Sequence, residues 1–411
     1  MSTQRHGDTG ISRKLGDSVS LCFKKGFFVL AAFALQFVSL QPMLADDWMS
    51  RVSDDTYVSQ LSIPGAHDAG TGHGFVGFIG AFGESFARTQ DKTIAEQWES
   101  GIRAFDLRPC VDGTELRINH GVIQTTLTLD EAFIMLCDLL DQHPSEAAIV
   151  IIRHETDGDD NSSSWSGMMT SLLGSEPTKS HVVNFKPLMT MGEMRGKMLV
   201  LSRDLYATVP VGGFISGWSH SADFSSQKNG KIKGRSTQQG PCYIQDFYDC
   251  TAAGAKETKR QSILTMLQYS AEQNTNNRLW VINHTSGYSL TTSFFGSTVA
   301  TSDGYRDNAA TQNAAVIDWL AEHSGPTGLV MMDFAGVDVS NGFDVKGLSL
   351  TQALIENNFY VPTRINHVNE NDNEIVNGSR GGFLYDLVGR RVETTTNVGL
   401  YVKDGRKILV R

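Results

Sequence analysis

Seven short apolar runs alternating with helical patterns constrain this chain more than any other feature. They lie at Leu61–Ile63, Ile102–Leu107, Ala148–Arg153, Met198–Ser202, Cys242–Gln245, Leu279–Asn283 and Gly328–Asp333. Most are too apolar to leave one face in water, the mark of parallel strands covered by helices. The helices between them are legible. Thr128 with Glu131 predicts a capping box ahead of a stripe of Leu129, Phe133, Leu136 and Leu140, and His143-Pro144 stops the turn. Similar stripes recur at Ile263, Met266 and Leu267, at Ala310, Ala314, Ile317 and Leu320, and, after a Ser349/Gln352 cap, at Leu354 and Ile355. Alternation sustained over about 310 residues predicts an α/β fold, a single distorted TIM-type parallel barrel, with a doubly wound open sheet as the alternative. The barrel is favoured because reactive residues recur at the ends of several strands, where a barrel keeps its active face.

Four strand-end segments carry those residues. In Leu61 to Thr71 an apolar run meets a Pro64-Gly65 breaker that hands His67 and Asp68 to a loop. The others are Phe105-Asp106-Leu107-Arg108, Ile118-Asn119-His120-Gly121 and Met331-Met332-Asp333-Phe334. Two imidazoles and a guanidinium suffice to cleave a phosphodiester. One imidazole takes a proton from the attacking hydroxyl, the other protonates the leaving oxygen, and the guanidinium meets charge on the remaining oxygens. Asp68 and Asp333 are available to fix the imidazole tautomers. On residue types alone, hydrogen-bonded structural histidines account for the pattern equally well.

A 411-residue chain with 40% apolar and 19% charged residues has ample material for a core, and a formal charge of −10 argues against nucleic acid as a partner. Lys24 and Lys25, the apolar run Gly26 to Leu40 and the small residue Ala45 before Asp46-Asp47 read as a secretory signal; the run falls short of the ~20 residues of a membrane span. The organisation expected is a signal peptide over 1–45, the barrel over 46–365, a polar linker over 366–381 and a β tail over 382–411 with an Asp404-Gly405 hairpin turn. Among the five cysteines, Cys242 with Cys250 is the pairing to expect, and no spacing resembles a zinc site.

Gly72 to Gly83 mixes five glycines with bulky apolar residues and bears no charge. The glycines disfavour a regular core element, and the segment reads as a membrane rim of Phe75, Phe78, Ile79 and Phe82. Phe214 with Trp218, and Phe294 with Phe295, are candidates to extend it.

The motifs Ser62-Ile63-Pro64-Gly65-Ala66-His67-Asp68, Gly101 to Pro109 and Asn119-His120-Gly121 resemble, in order, those of the catalytic X region of bacterial phosphatidylinositol-specific phospholipase C. Pro144-Ser145-Glu146, Arg153-His154-Glu155, Arg195-Gly196-Lys197 and Asp333 continue the likeness, which spans Asp54 to Asn358. The resemblance implies a diacylglycerol-lyase that releases a cyclic inositol phosphate. It implies His67 as general base oriented by Asp333, His120 as general acid supported by Asp68, and Arg108 stabilising the phosphorane. Arg153, Arg203, Asp246 and Tyr248 match the inositol-binding positions, with Arg153 where relatives often carry Lys. Arg108 stands where calcium-dependent relatives hold an acidic ligand, so no metal and no cofactor are expected. The expected partner is an inositol phospholipid membrane surface, met by a monomeric protein that is secreted or held at the outer cell surface. The tail resembles the C-terminal sorting tails of secreted Bacteroidetes proteins. Two other readings are a glycerophosphodiester phosphodiesterase, disfavoured because His67-Asp68-Ala69 replaces its His-Arg-Gly, and a catalytically silent lipid- or glycan-binding secreted domain, disfavoured because both histidines, the arginine and both carboxylates are present.

Overall fold

The computed structural model describes residues 45–208, 210–222, 230–272 and 278–359, with the backbone of 384–385, 391–392, 399–403 and 406–410. The signal expected over 1–45, apart from Ala45, and the linker over 366–381 lie outside the described residues.

The strands run β1 (Ser62–Ala66), β2 (Ala104–Leu107), an excursion of β3 (Pro109–Asp112), β4 (Glu115–His120) and β5 (Ile123–Thr128), then β6 (Ala147–Ile152) and the two-residue β7 (Val182–Val183). There follow β8 (Lys197–Ser202), β9 (Gly213–Ser216), β10 (Lys231–Lys233), β11 (Gln239–Gln245), β12 (Trp280–His284), the hairpin β13 (Thr291–Phe294) and β14 (Ser297–Ala300), and β15 (Gly328–Met332). All seven apolar runs become barrel strands. The order β6-β2-β1-β15-β12-β11-β10-β9-β8 closes on itself through β6 and β8. The barrel is mixed rather than wholly parallel, because β10 runs antiparallel to both β9 and β11. Five residues separate β10 from β11, too few for the crossover that a parallel neighbour requires.

Alternation along each strand sorts two layers. Ile63, Ile149, Ile151, Leu199, Leu201, Ile215, Ile232, Cys242, Ile244, Ile282, Leu329 and Met331 fill the barrel. Phe105, Val150, Ile152, Val200, Val330 and Met332 face helices bearing Phe133, Leu136, Ile263, Val316 and Leu350. Trp48, Met49 and Val52 join the inner cluster from the N-terminal side.

Four local expectations change. Pro64-Gly65 does not end the first strand: β1 continues through both to Ala66. The ladder to β2 begins only at Gly65↔Ala104, so the missing N–H of Pro64 falls outside it. Gly65 serves packing, since a Cβ there would stand 2.4 Å from Met331 Sδ. The Thr128/Glu131 capping box forms as expected on Leu129–Gln142, whereas Ser349 is no N-cap. Its helix starts at Gly347, and Asp338 accepts hydrogen bonds from the Ser349 N–H at 2.8 Å and hydroxyl at 3.0 Å. The helix Ser302–Glu322 buries Tyr305, Ala309, Gln312, Asn313, Val316 and Trp319; of the expected stripe, Ile317 and Leu320 pack half-buried against the core, and Ala310 and Ala314 are half-buried. Its buried amides serve backbone carbonyls, Asn308 on Thr285 and Asn313 on Val345. Finally, Cys242 and Cys250 are free thiols. Cys242 faces the barrel interior, while Cys250 lies beyond the strand end, its N–H bound to the Tyr288 carbonyl.

In the tail, Gly399–Lys403 and Arg406–Val410 pair antiparallel with Lys403 opposite Arg406, leaving two residues for the turn. Leu384–Tyr385 and Arg391–Val392 complete a four-stranded antiparallel sheet.

Candidate active site

The C-terminal ends of the barrel strands carry the titratable residues. His67 follows β1, its N–H bound to the Met332 carbonyl, while Gln90 Nε2 donates to the carbonyls of His67 and Met332 at 2.7 and 2.9 Å. Asp68 takes a left-handed conformation, φ 44°, and its carboxylate faces Arg108 and His120. His67 Nδ1 lies 2.8 Å from Asp333 Oδ1, and Asp333 Oδ2 accepts the Gly287 N–H at 3.0 Å. The other His67 nitrogen, Nε2, lies 2.6 Å from the Arg108 guanidinium.

Arg108 is the hub. Its Nε lies 2.7 Å from Asp68 Oδ1 and donates at 3.1 Å to Asp106 Oδ2. His120, at the end of β4, faces Asp68 Oδ2 through Nδ1 at 3.1 Å. The Asp68 contacts are close enough for ion pairs but off the hydrogen-bond direction, so both Asp68 oxygens and His120 Nδ1 are buried without an aligned partner. Such misalignment is common in catalytic groups before substrate arrives.

The shifts follow from this crowding. Burial opposes charge on His67, but the Asp68 and Asp333 carboxylates outweigh it together with Arg108 and raise the imidazole. On His120 burial wins, joined by Arg108 and His67, and the value falls to about 4. Burial works against ionised Asp106 as well, yet Arg108 and then His67 hold it down at about 2.

The predicted ring-binding residues gather on one side. The Arg203 guanidinium lies over the Trp218 ring at 3.7 Å, and burial lowers it to about 10. Asp246 Oδ2 accepts from Trp218 Nε1 at 2.8 Å and pairs with His220 Nδ1 at 3.1 Å. Tyr248 is 43% exposed, with its ring edge-on to His220. Arg153 is half-exposed and pairs with Glu155 at 3.7 Å. Trp218, a candidate for the rim, therefore belongs to the pocket. Phe82 packs with Phe86 and Phe294, and Phe294 with Phe295, while Phe78 and Phe295 are 85% and 92% exposed. Phe75 instead packs against Gly83, where a Cβ would collide with its ring.

Asp106 and His284 escaped assignment though both sit at strand ends, the very signal used for the others. His284 is buried beside His67 and Trp218, and burial lowers it to about 3. Glu155, buried near Arg108 and raised by that burial, was named only within the Arg153-His154-Glu155 motif and given no role, and Tyr305, on a helix, gave no comparable signal. His67, Asp68 and Asp106 offer ligand atoms within 4.8 Å of one another. Arg108 already pairs with both carboxylates, and its charge repels a cation there.

No family model matches the chain. The 1-phosphatidylinositol phosphodiesterase of Staphylococcus aureus (strain Newman) is 23% identical over 214 residues, covering 50% of this chain and 66% of the relative. That of Listeria monocytogenes is 28% identical over 161 residues, 38% of this chain and 48% of the relative. The matches thus span less than two thirds of these relatives' own length. The structure of the Listeria monocytogenes phosphatidylinositol-specific phospholipase C superposes with a TM-score of 0.57 at 21% identity, covering 77% of this chain and 100% of that one. A pentafluoro-Phe form of the Staphylococcus aureus enzyme gives 0.60 at 19%, covering 77% and 98%. The chain is related to bacterial phosphatidylinositol-specific phospholipases C and shares their barrel. Among the described residues, no helix is long and apolar enough to cross a membrane.

Proposed function

We propose that this protein is a phosphatidylinositol diacylglycerol-lyase. The observation that carries the reading is the Arg108 guanidinium, 2.6 Å from His67 and 2.7 Å from the carboxylate that faces His120. A phosphodiester entering this centre meets a base, an acid and a cation at once. His67 Nε2 takes the proton of the inositol 2-hydroxyl while Asp333 holds Nδ1. The hydroxyl oxygen bonds to phosphorus, the bond from phosphorus to the glycerol oxygen breaks, and His120 protonates that oxygen. Diacylglycerol leaves, a cyclic inositol phosphate remains, and no water is consumed. Arg108 stabilises the charge on the non-bridging oxygens, and Asp68 supports His120. Arg203 and Asp246, with Trp218 and Tyr248, bind the inositol ring, and Arg153 offers charge at the rim of the pocket.

The reaction needs no metal, because Arg108 supplies the charge a cation would supply elsewhere. The exposed Phe78 and Phe295, with Phe82 and the segment bearing Ile79, dip into the lipid surface. The signal-like N-terminus and the Bacteroidetes-type tail support export to the outside of the cell.

Incubation with labelled phosphatidylinositol tests the reading. Cyclic inositol phosphate is expected, unchanged by chelator. Hydrolysis of glycerophosphodiesters in its place would establish the rival phosphodiesterase activity, and loss with chelator would overturn the metal-independent mechanism.

A further inference from the structure

The His120 side chain faces the catalytic centre through one ring nitrogen and reaches outside it through the other. Its Nε2 lies 3.1 Å from the hydroxyl of Tyr305, and the two rings meet edge to face at 5.6 Å. Tyr305 is buried, 5% exposed, in the first turn of the helix Ser302–Glu322. Thr301 caps that helix, accepting the Gly304 N–H at 3.0 Å, and the Ser302 hydroxyl accepts the Arg88 N–H at 3.1 Å. Gly304 lies so close to Leu290 that a Cβ would come within 2.4 Å of its carbonyl oxygen. The tyrosine is thus anchored by a rigid element independent of β4, which carries His120.

We infer that Tyr305 is a positioning residue for the general acid, holding the His120 ring with Nδ1 toward Asp68 and Nε2 toward the leaving oxygen. The inference rests on the acid role proposed for His120. A hydroxyl suits both states of the ring. Burial and the nearby Asp68 and Asp333 carboxylates keep the tyrosine protonated. Its O–H donates to Nε2 of neutral His120; once the ring is charged its oxygen accepts from Nε2–H in a three-centre bond that leaves the proton shared with the leaving oxygen, to which it passes. The second bond is charge-assisted and the stronger. Tyr305 therefore favours the protonated acid, opposing burial, Arg108 and His67, in the same direction as Glu155 and Asp333. Asp68 faces the other nitrogen.

The test compares two leaving groups in full-length protein: phosphatidylinositol in vesicles, whose glycerol oxygen must be protonated, and the para-nitrophenyl ester of inositol phosphate, whose leaving group departs as an anion. Tyr305→Phe keeps the ring packing and removes the hydroxyl. It should lower kcat on the lipid by about tenfold, spare the nitrophenyl ester, leave KM unchanged and move only the pH limb belonging to His120. Equal loss on both substrates, or no loss on the lipid, overturns the inference. His120→Ala separates the two claims: without a leaving-group dependence of its own, the acid role fails; with one that Tyr305→Phe lacks, only the positioning role fails. Should Tyr305→Phe not fold, histidine-ring NMR of the wild-type protein decides. An Nδ1–H tautomer with a hydrogen-bonded Nε2 is expected for neutral His120, and the opposite tautomer overturns the inference.

Discussion

Arg103 and Arg108 lie on one short segment, both buried and both paired with carboxylates, at opposite ends of β2. Arg103 is saturated. Its Nε donates to Glu146 at 3.0 Å, its Nη1 to the carbonyls of Trp98 and Ile102, and its guanidinium covers the Trp98 ring at 3.9 Å. Glu146 also accepts the N–H groups of Met49 and Ser50. At the Arg103 end the neutral Trp98 Nε1 also lacks a partner, whereas around Arg108 the atoms without aligned partners belong to titratable groups: both Asp68 oxygens, one Asp106 oxygen and His120 Nδ1. A buried ion pair therefore does not mark a functional centre; titratable valence left open beside it does. The Arg103 end fastens the N-terminal segment to the barrel, whereas the Arg108 end is arranged for a charge that arrives from outside.

The sharpest way to break this contrast is to remove the imidazoles. His67→Ala and His120→Ala should each lower kcat on phosphatidylinositol by about 10²- to 10⁴-fold, with thermal unfolding little changed. Loss of folding in step with loss of activity would make the upper centre structural after all. The converse variant is Arg103→Met, which strands Glu146. Denaturant unfolding should show a loss of about 3–5 kcal/mol, while kcat per folded molecule stays at the wild-type level. A fall in kcat would mean that the two ends are coupled.

The pH dependence follows from the opposed shifts of the two histidines. His67 must be neutral to take a proton and His120 charged to give one, yet His67 is raised and His120 lies at about 4. The active form is thus the minor tautomer of the singly protonated pair. Below about 4 both rings are charged and no base exists; above the raised His67 value both are neutral and no acid exists. kcat/KM should rise through about 4, hold a plateau, and fall about tenfold per unit beyond the His67 value. In His120→Ala the residual rate should instead rise through the higher value, since only His67 then titrates. A residual rate that still falls there would reverse the assignment of base and acid.

Much of the barrel was legible because its strands are buried on both faces and read as plain apolar runs. β9 and the antiparallel β10 were not, being short, and Lys231-Ile232-Lys233 shows only one inward residue. At the site, His67, Asp68, Arg108, His120 and Asp333 were legible at strand ends, and the structure brings all five together. Tyr305 was hidden because its helix buries amides where an apolar period was sought, and Trp218 because an aromatic beside a loop reads as well for a membrane rim as for a pocket. Pro64-Gly65 misled for a related reason: both are usual chain breakers, yet each is tolerated where one ladder begins late and the barrel interior is crowded.

The smallest effect concerns the outermost part of the upper end, where the comparison passes from polar to apolar valence. Phe78 and Phe295 expose nearly their whole rings, from two separate elements joined through Phe82 and Phe294. Exposed aromatics so clustered are unfavourable in water and favourable at a lipid interface. Phe75 is a poor probe because it also packs against Gly83. Phe78→Ser with Phe295→Ser should weaken vesicle binding by at least about tenfold, since burying one such ring is worth ~1.5–3 kcal/mol. Turnover of a soluble cyclic inositol phosphate should be unchanged. The ring contacts of these two side chains are with Phe82 and Phe294, so equal loss on both substrates would mean that the patch supports the site itself rather than its approach to the membrane.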